Sequence, residues 1–247
     1  MSRGVVNCMP IGGLGNQTFT YAFCRAYAER YDLELRINNW YGRYLWQVDD
    51  PPVKELFPLR SENDLEFGEA NFNYTSYSQI QRCMIYSRDD AHRWFKWDPD
   101  IEGLLRTALP REPLLAHRRL GDYVGVFDII SEKSYYDACD EYKLDKTQLQ
   151  FLSGPGMPCV AGLPTEVAHF LPDFWRMMHC DVLLRGNSTF SWWAAVLGTC
   201  DVYAPLLSSA VAAGNGEVDV RFVKGNHSRH LNAGNVTELH LVGEDQP

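Results

Sequence analysis

Two rhythms of apolar and polar positions alternate along this chain, and each change of rhythm marks an element. Gly4–Met9 is a short apolar run, and glycines follow at Gly12, Gly13 and Gly15. Phe19, Ala22, Phe23, Ala26 and Tyr27 then fall at the i, i+3, i+4, i+7 spacing of a helix with one buried face. Leu33–Ile37 alternates apolar with charged residues, as a half-buried strand does. The chain therefore opens as strand, tight loop, helix, strand. From Asn38 to Pro110 the text is rich in Trp, Tyr, Pro, Asp and Asn, and periodicity returns only at Ile101–Leu109. This predicts irregular structure with short helices.

Beyond Glu112 the alternation sharpens. Strands are predicted at Pro113–Ala116, Leu149–Leu152, Val182–Leu184 and Val202–Ala204. Helices are predicted at Lys133–Tyr142 and Phe190–Leu197, with a broken one at Thr165–His179. Repeated strand–helix order implies an α/β fold whose parallel sheet is covered on both faces. The change of texture at Pro110 divides the chain into domains at 1–110 and 111–247.

Composition narrows the function classes. A net charge of −9 argues against a surface that coats nucleic acid, which needs a basic face. An anion can still be held by local N–H groups and one or two arginines. No window is apolar enough to span a membrane, and Met1–Pro10 does not read as a secretory leader, so a cytoplasmic location is expected. The seven cysteines are scattered without a C-x-x-C pair and read as free buried thiols. Asp98-Pro99-Asp100 has the spacing of a metal-binding D-x-D, but Pro99 followed by Ile101, Leu104 and Leu105 reads better as a helix start.

Three segments carry candidate chemistry, each beginning at a predicted strand end, where ligands of parallel sheets bind. Gly12-Gly13-Leu14-Gly15-Asn16-Gln17 lets the backbone approach a ligand and opens a helix whose first N–H groups suit an anion. It fits no dinucleotide fingerprint, since Thr18 stands where a third glycine belongs, and a structural turn explains it as well. In the second segment, His117, Arg119 and Asp122 follow an apolar strand; Arg119 could fork two hydrogen bonds to phosphate, or the cluster could be a surface ion pair. Alternation along the strand points Arg118 away from His117 and Arg119, so it is not counted as a second phosphate-facing donor, and its loss is expected to be mild for turnover. The third segment, Asn187-Ser188-Thr189-Phe190-Ser191-Trp192-Trp193, packs capping side chains densely at a helix start, with the tryptophans as core.

Taken in order, G-G-L-G-N-Q, H-x-R-x-G-D-Y and N-S-T-F-S-W-W-A-A resemble the α-1,2-fucosyltransferases of glycosyltransferase family 11. Lys133-Ser134-Tyr135-Tyr136 and the stretch from Asp173-Phe174 to Cys180-Asp181 add to the likeness, which covers residues 5–205. The resemblance implies a GT-B architecture of two facing Rossmann-like domains, residues 1–110 on the acceptor side and 111–247 binding the nucleotide sugar. It implies GDP-fucose as donor, inversion at the anomeric carbon, no metal, no cofactor, and a glycan or lipid-linked oligosaccharide acceptor fucosylated α-1,2. No nucleic-acid partner follows from it, and peripheral membrane association is compatible with it.

By position, the resemblance makes Arg119 the arginine that holds the diphosphate and Asn16 its partner in catalysis, with Gly13, Leu14 and Gly15 lining the loop. His117 and Asp122 are motif neighbours, and Asn187, Ser188, Thr189, Phe190 and Ser191 form the segment that closes on the nucleotide. Two departures stand out: Leu120 replaces a second arginine, and Ser153-Gly154-Pro155-Gly156 replaces an acidic turn. They keep two other readings open, a transferase for another nucleotide-activated hexose and a non-catalytic sugar-nucleotide or glycan-binding module. Asp122, Glu29 and Asp32 are carboxylates available as a general base. Trp40–Trp46 and Tyr74–Tyr86 are loops that could shape an acceptor groove.

Overall fold

Four strands and one long helix organise the first part of the chain. The structure, a computed structural model, describes residues 4–124, 127–152, 160–207, 216–226, 228–232 and 235–243. The Ser153–Gly156 departure, Cys159 and the Asp122 side chain lie outside the described residues. Contacts divide the chain into two units, Met1–Pro99 with His240–Pro247 and Asp100–Leu239.

In the first unit, Val5–Cys8 (β1) is buried throughout and leads through the glycines into Leu14–Tyr31 (α1), then Glu34–Ile37 (β2). The helix starts at Leu14, five residues before its apolar stripe, so its first turn sits directly on the glycine loop. It is buried well beyond one face, and Thr18 meets that burial by donating its hydroxyl to Leu14 O at 2.8 Å. Asp32 ends it in the left-handed conformation, φ 55°.

Leu59–Arg60 (β3) and Phe72–Tyr74 (β4) complete a parallel sheet of order β2-β1-β4-β3. The sequence shows neither strand, because Phe72-Asn73-Tyr74 is short and all three residues are buried, leaving no alternation to see. Arg88–Trp94 (α2) is fixed by a capping box, Ser87 Oγ accepting from Asp90 N at 3.1 Å while Ser87 N donates to the Asp90 carboxylate at 3.0 Å. Trp40, Trp46, Tyr74 and Tyr86 are buried, Trp40 stacked on Tyr21 at 4.6 Å and Trp46 against Phe95 at 4.6 Å. These four rings fill the core of the unit, where their large apolar area is worth more packed than exposed, while Tyr41, Tyr44 and Tyr77 of the same two stretches keep exposed surface.

The second unit begins as Pro99–Ala108 (α3) ends the irregular stretch, and the D-x-D is thus a helix start. Leu114–His117 (β5), Ile129–Ile130 (β6), Glu132–Tyr142 (α4), Leu149–Leu152 (β7), Leu171–His179 (α5), Val182–Leu184 (β8), Thr189–Leu197 (α6) and Asp201–Leu206 (β9) follow. Then come Glu217–Val218 (β10), Arg221–Lys224 (β11), Ser228–Asn232 (β12) and Asn235–Leu239 (β13). The main sheet has order β11-β9-β8-β5-β7, parallel except for β11. Leu114, Ala116, Tyr135, Ala138, Leu184 and Phe222 form its core under α4. The predicted broken helix resolves into turns followed by α5, whose first turn takes Pro172 without losing a helical hydrogen bond.

Trp192 and Trp193 are fully buried, edge to face at 5.0 Å, and anchor α6. Cys8, Cys24, Cys83, Cys139, Cys180 and Cys200 are free thiols. Among the described residues no helix is long and apolar enough to cross a membrane.

Candidate functional site

The glycine loop belongs to the first unit and the other two segments to the second; each is built by its own neighbours. Gly12 has φ +76°, a conformation that side chains rarely adopt, and a Cβ there would sit 2.6 Å from Asn16 Nδ2. Gln17 secures the loop from behind, donating to Gly12 O at 2.9 Å and accepting from Tyr41 N at 2.9 Å. Asn16 Oδ1 accepts from Gln79 Nε2 at 3.0 Å. Leu14 and Gly15 are buried, while Gly12 and Gly13 face solvent with no side chain capping the helix start. An 18-residue helix thus presents its positive end through an open backbone loop.

Glu29 and Asp32 sit at the other end of α1, about 20–25 Å along the axis at 1.5 Å per residue. Glu29 there binds Arg93 at 2.8 Å and Trp94 Nε1 at 2.8 Å. Both carboxylates therefore lie far from the glycine loop.

In the second unit the register sets Ala116 of β5 beside Leu184 of β8, so His117 and Arg185 are the next pair along adjacent strand ends. The turn after β8 presses on His117: a Cβ on Gly186 would meet the His117 carbonyl oxygen at 2.5 Å and Nδ1 at 3.2 Å. Tyr135 donates its hydroxyl to the same carbonyl at 2.9 Å. The imidazole is buried, Nδ1 has no hydrogen-bond partner, and the Phe190 ring lies 6.1 Å away.

Burial, then the positive charges of Arg119 and Arg185, push the His117 pKa down to about 3. The ring is therefore neutral across the working range and can hydrogen-bond but not act as a cation. In the unfolded chain it takes a proton below about 6.5, whereas folded it waits until about 3. Between those values the unfolded state holds more protons, so stability rises with pH, by up to about 1.4 kcal/mol per unit. Urea unfolding at pH 7.5 and 5.5 should show a smaller pH dependence in His117→Asn than in wild type; equal slopes would place the imidazole in water.

Arg119 is half-buried, its guanidinium carbon 5.8 Å from the centre of the Tyr123 ring. Gly121, at φ +57°, turns the chain so that the Tyr123 hydroxyl donates to Asn187 O at 3.1 Å, joining the second segment to the third. Asn187 Nδ2 donates to Asp128 O at 3.2 Å, Ser188 Oγ accepts from Phe190 N at 3.3 Å, and Ser191 Oγ donates to Gly186 O at 3.3 Å. Asn187, Ser188 and Ser191 are buried and bonded to the chain itself, whereas Thr189 and Phe190 keep exposed surface. The dense caps shape the turn that presents the helix start.

Arg118 faces away from this cluster, as the strand alternation predicts, and its side chain is built into the fold. Its Nε donates to Ile130 O at 3.0 Å, and its guanidinium pairs with Glu132 at 2.8 Å and with Glu217, tying β6, α4 and β10 together. The side chain is buried while both carboxylates reach water, which moderates the pairing. Arg118→Ala should cost about 1–3 kcal/mol, mainly from the stranded Ile130 carbonyl and lost packing. A urea midpoint unchanged by the substitution would contradict this.

Arg185, Gly186 and Tyr135 are additions that sequence reading did not single out. The available signal was an arginine at the end of the apolar run Val182-Leu183-Leu184. Among the described residues there is no group of three or more His, Cys, Asp or Glu able to hold a metal.

No family model matches the chain, and no curated protein sequence matches it. Solved structures do share its fold. NodZ α-1,6-fucosyltransferase soaked with GDP-fucose aligns at TM-score 0.56 and 14% identity over 90% of this chain and 99% of that one. Fucosyltransferase NodZ from Bradyrhizobium aligns at 0.56 and 14% over 91% and 99%. Arabidopsis thaliana FUT1 in complex with GDP aligns at 0.50 and 11% over 83% and 70%.

Proposed function

We propose that this protein is a fucosyltransferase that moves fucose from GDP-fucose to a hydroxyl of a glycan or lipid-linked oligosaccharide, with inversion, without a metal, and in α-1,2 linkage. The observation that carries the reading is the junction of the Arg119 turn with the Asn187–Phe190 helix start at adjacent parallel strand ends. It occurs in a fold shared with structures soaked with GDP-fucose and bound to GDP. Such strand ends are where α/β sheets bind ligands.

Breaking the sugar–phosphate bond leaves negative charge on the GDP oxygens and positive charge on the sugar ring. Donors fixed in advance at the leaving group lower that barrier most. In this reading, residues 111–247 bind the donor: Arg119 meets the diphosphate, and Asn187–Ser191 with the start of α6 closes on the nucleotide. The neutral His117 supports that turn, and Asp122 is its neighbour in the motif. Residues 1–110 serve the acceptor side of a GT-B arrangement, with Asn16 and the Gly13–Gly15 backbone facing the phosphates or the fucose.

The α-1,2 linkage rests on the three motifs, while NodZ is an α-1,6 enzyme. NMR of the fucosylated product from a panel of β-galactoside-terminated glycans, made in the presence of a chelator, tests linkage, configuration and metal need together. An α-fucosyl 1→2 product with rate unchanged by chelator is expected. A 1→6 product, retained configuration or loss of turnover with chelator would each overturn the corresponding part. A second donor is favoured by Leu120, which stands in the place of a second arginine, and by Ser153-Gly154-Pro155-Gly156, which stands in the place of an acidic turn.

A further inference from the structure

Arg185 directly follows the apolar strand Val182–Leu184, a place where a long charged side chain ordinarily turns to water. Instead it has no exposed surface. Its N–H continues the ladder to Tyr203 O at 3.0 Å, and its Nη1 donates to Gly186 O at 3.0 Å, the carbonyl that also accepts from Ser191. Gly186 in turn lies against the backbone and ring of His117. Tyr135, buried and bonded to the His117 carbonyl at 2.9 Å, completes the same cluster. Burial lowers the Arg185 pKa to about 9, so it remains a cation at neutral pH. Arg119 is near enough that both guanidiniums act on the same imidazole.

The charge count of the turn sharpens the point. Of its two arginines, Arg118 is committed to Glu132 and Glu217, and the next position is Leu120. The second segment therefore brings one guanidinium to the strand ends, and the residue after β8 brings another beside His117. A charge in a dry interior reaches further than one in water, because less solvent screens it.

We propose that Arg185 is a positioning residue of the donor site: it fixes the Gly186–Ser188 turn against His117 and sets a second positive charge behind Arg119, where the diphosphate of a nucleoside diphosphate sugar is held. The inference rests on the donor reading given above. Arg185 touches the protein rather than the substrate, and its effect falls on the phosphates.

Calorimetric titration of the full chain with GDP and with guanosine, which has no phosphates, tests this in Arg185→Gln and Arg185→Lys. Glutamine keeps an amide donor for Gly186 O and removes the charge; lysine restores the charge. Arg185→Gln should bind GDP about tenfold or more weakly, with guanosine affinity unchanged, and Arg185→Lys should recover most of the loss. Parallel loss of GDP and guanosine with a lowered unfolding midpoint would reduce Arg185 to a structural role and overturn the proposal, as would unchanged GDP affinity. If the glutamine variant does not fold, Arg185→Lys decides: GDP binding within about threefold of wild type supports the charge, and a larger loss overturns it. Wild type that binds no GDP contradicts the donor reading itself, a separate result from wild type that binds GDP with an insensitive Arg185.

Discussion

If the proposed donor site is right, Arg119→Ala should lower kcat/KM for GDP-fucose by about 10²–10³-fold, the loss seen when one fixed donor to developing negative charge is removed, and should leave the fold intact. The side chain is half-buried at a strand end, so truncation opens no core cavity. Arg119→Lys should recover only part of the activity, because an ammonium cannot reproduce the two parallel bonds of a guanidinium fork. Arg118→Ala makes the contrast: it loosens β6, α4 and β10 and lowers the urea midpoint, and its turnover falls only as far as its folded fraction does. Steady-state rates beside unfolding curves separate the two. Equal loss of turnover in both variants at matched stability would mean that the strand register of the turn has been misassigned.

The second large effect is expected at Gly186. A Cβ there would stand 2.5 Å from the His117 carbonyl oxygen, a backbone atom held by Tyr135 and unable to swing aside. Gly186→Ala must push the turn after β8 away from β5, at about 1–3 kcal/mol of stability by analogy with overpacked cores. The same displacement pulls Asn187 from the Tyr123 hydroxyl and tilts the start of α6. Nucleotide affinity should therefore fall by more than the stability loss explains, about tenfold or beyond. The measurement is GDP affinity under conditions where the variant is fully folded; wild-type affinity there would show that the turn has slack.

Much of this arrangement was legible in the sequence because the second unit obeys simple periodicity. Val182–Leu184 and Leu149–Leu152 are strands in the predicted places, and the others differ by a residue or two at their ends. In the first unit the signal failed for a physical reason. Phe72–Tyr74 is a central strand buried on both faces, too short to show a rhythm, and Trp40 and Trp46 look like surface loop residues but fill the core. At the site, alternation alone gave the opposite facing of His117 and Arg118. What alternation could not give was Arg118's burial, since Glu132 and Glu217 come from elements 14 and 99 residues away. Arg185 was hidden similarly: a charge beside apolar residues reads as a strand end, and only the fold places it beside His117.

The proposed donor site for GDP-fucose around Arg119 is tested most directly by release of GDP from a panel of nucleotide sugars by the full chain. GDP-fucose should turn over fastest, and Arg119→Ala should slow that release about 10²–10³-fold while Arg118→Ala, measured on folded protein, retains it. Inert GDP-fucose beside turnover of another nucleotide sugar would contradict the account.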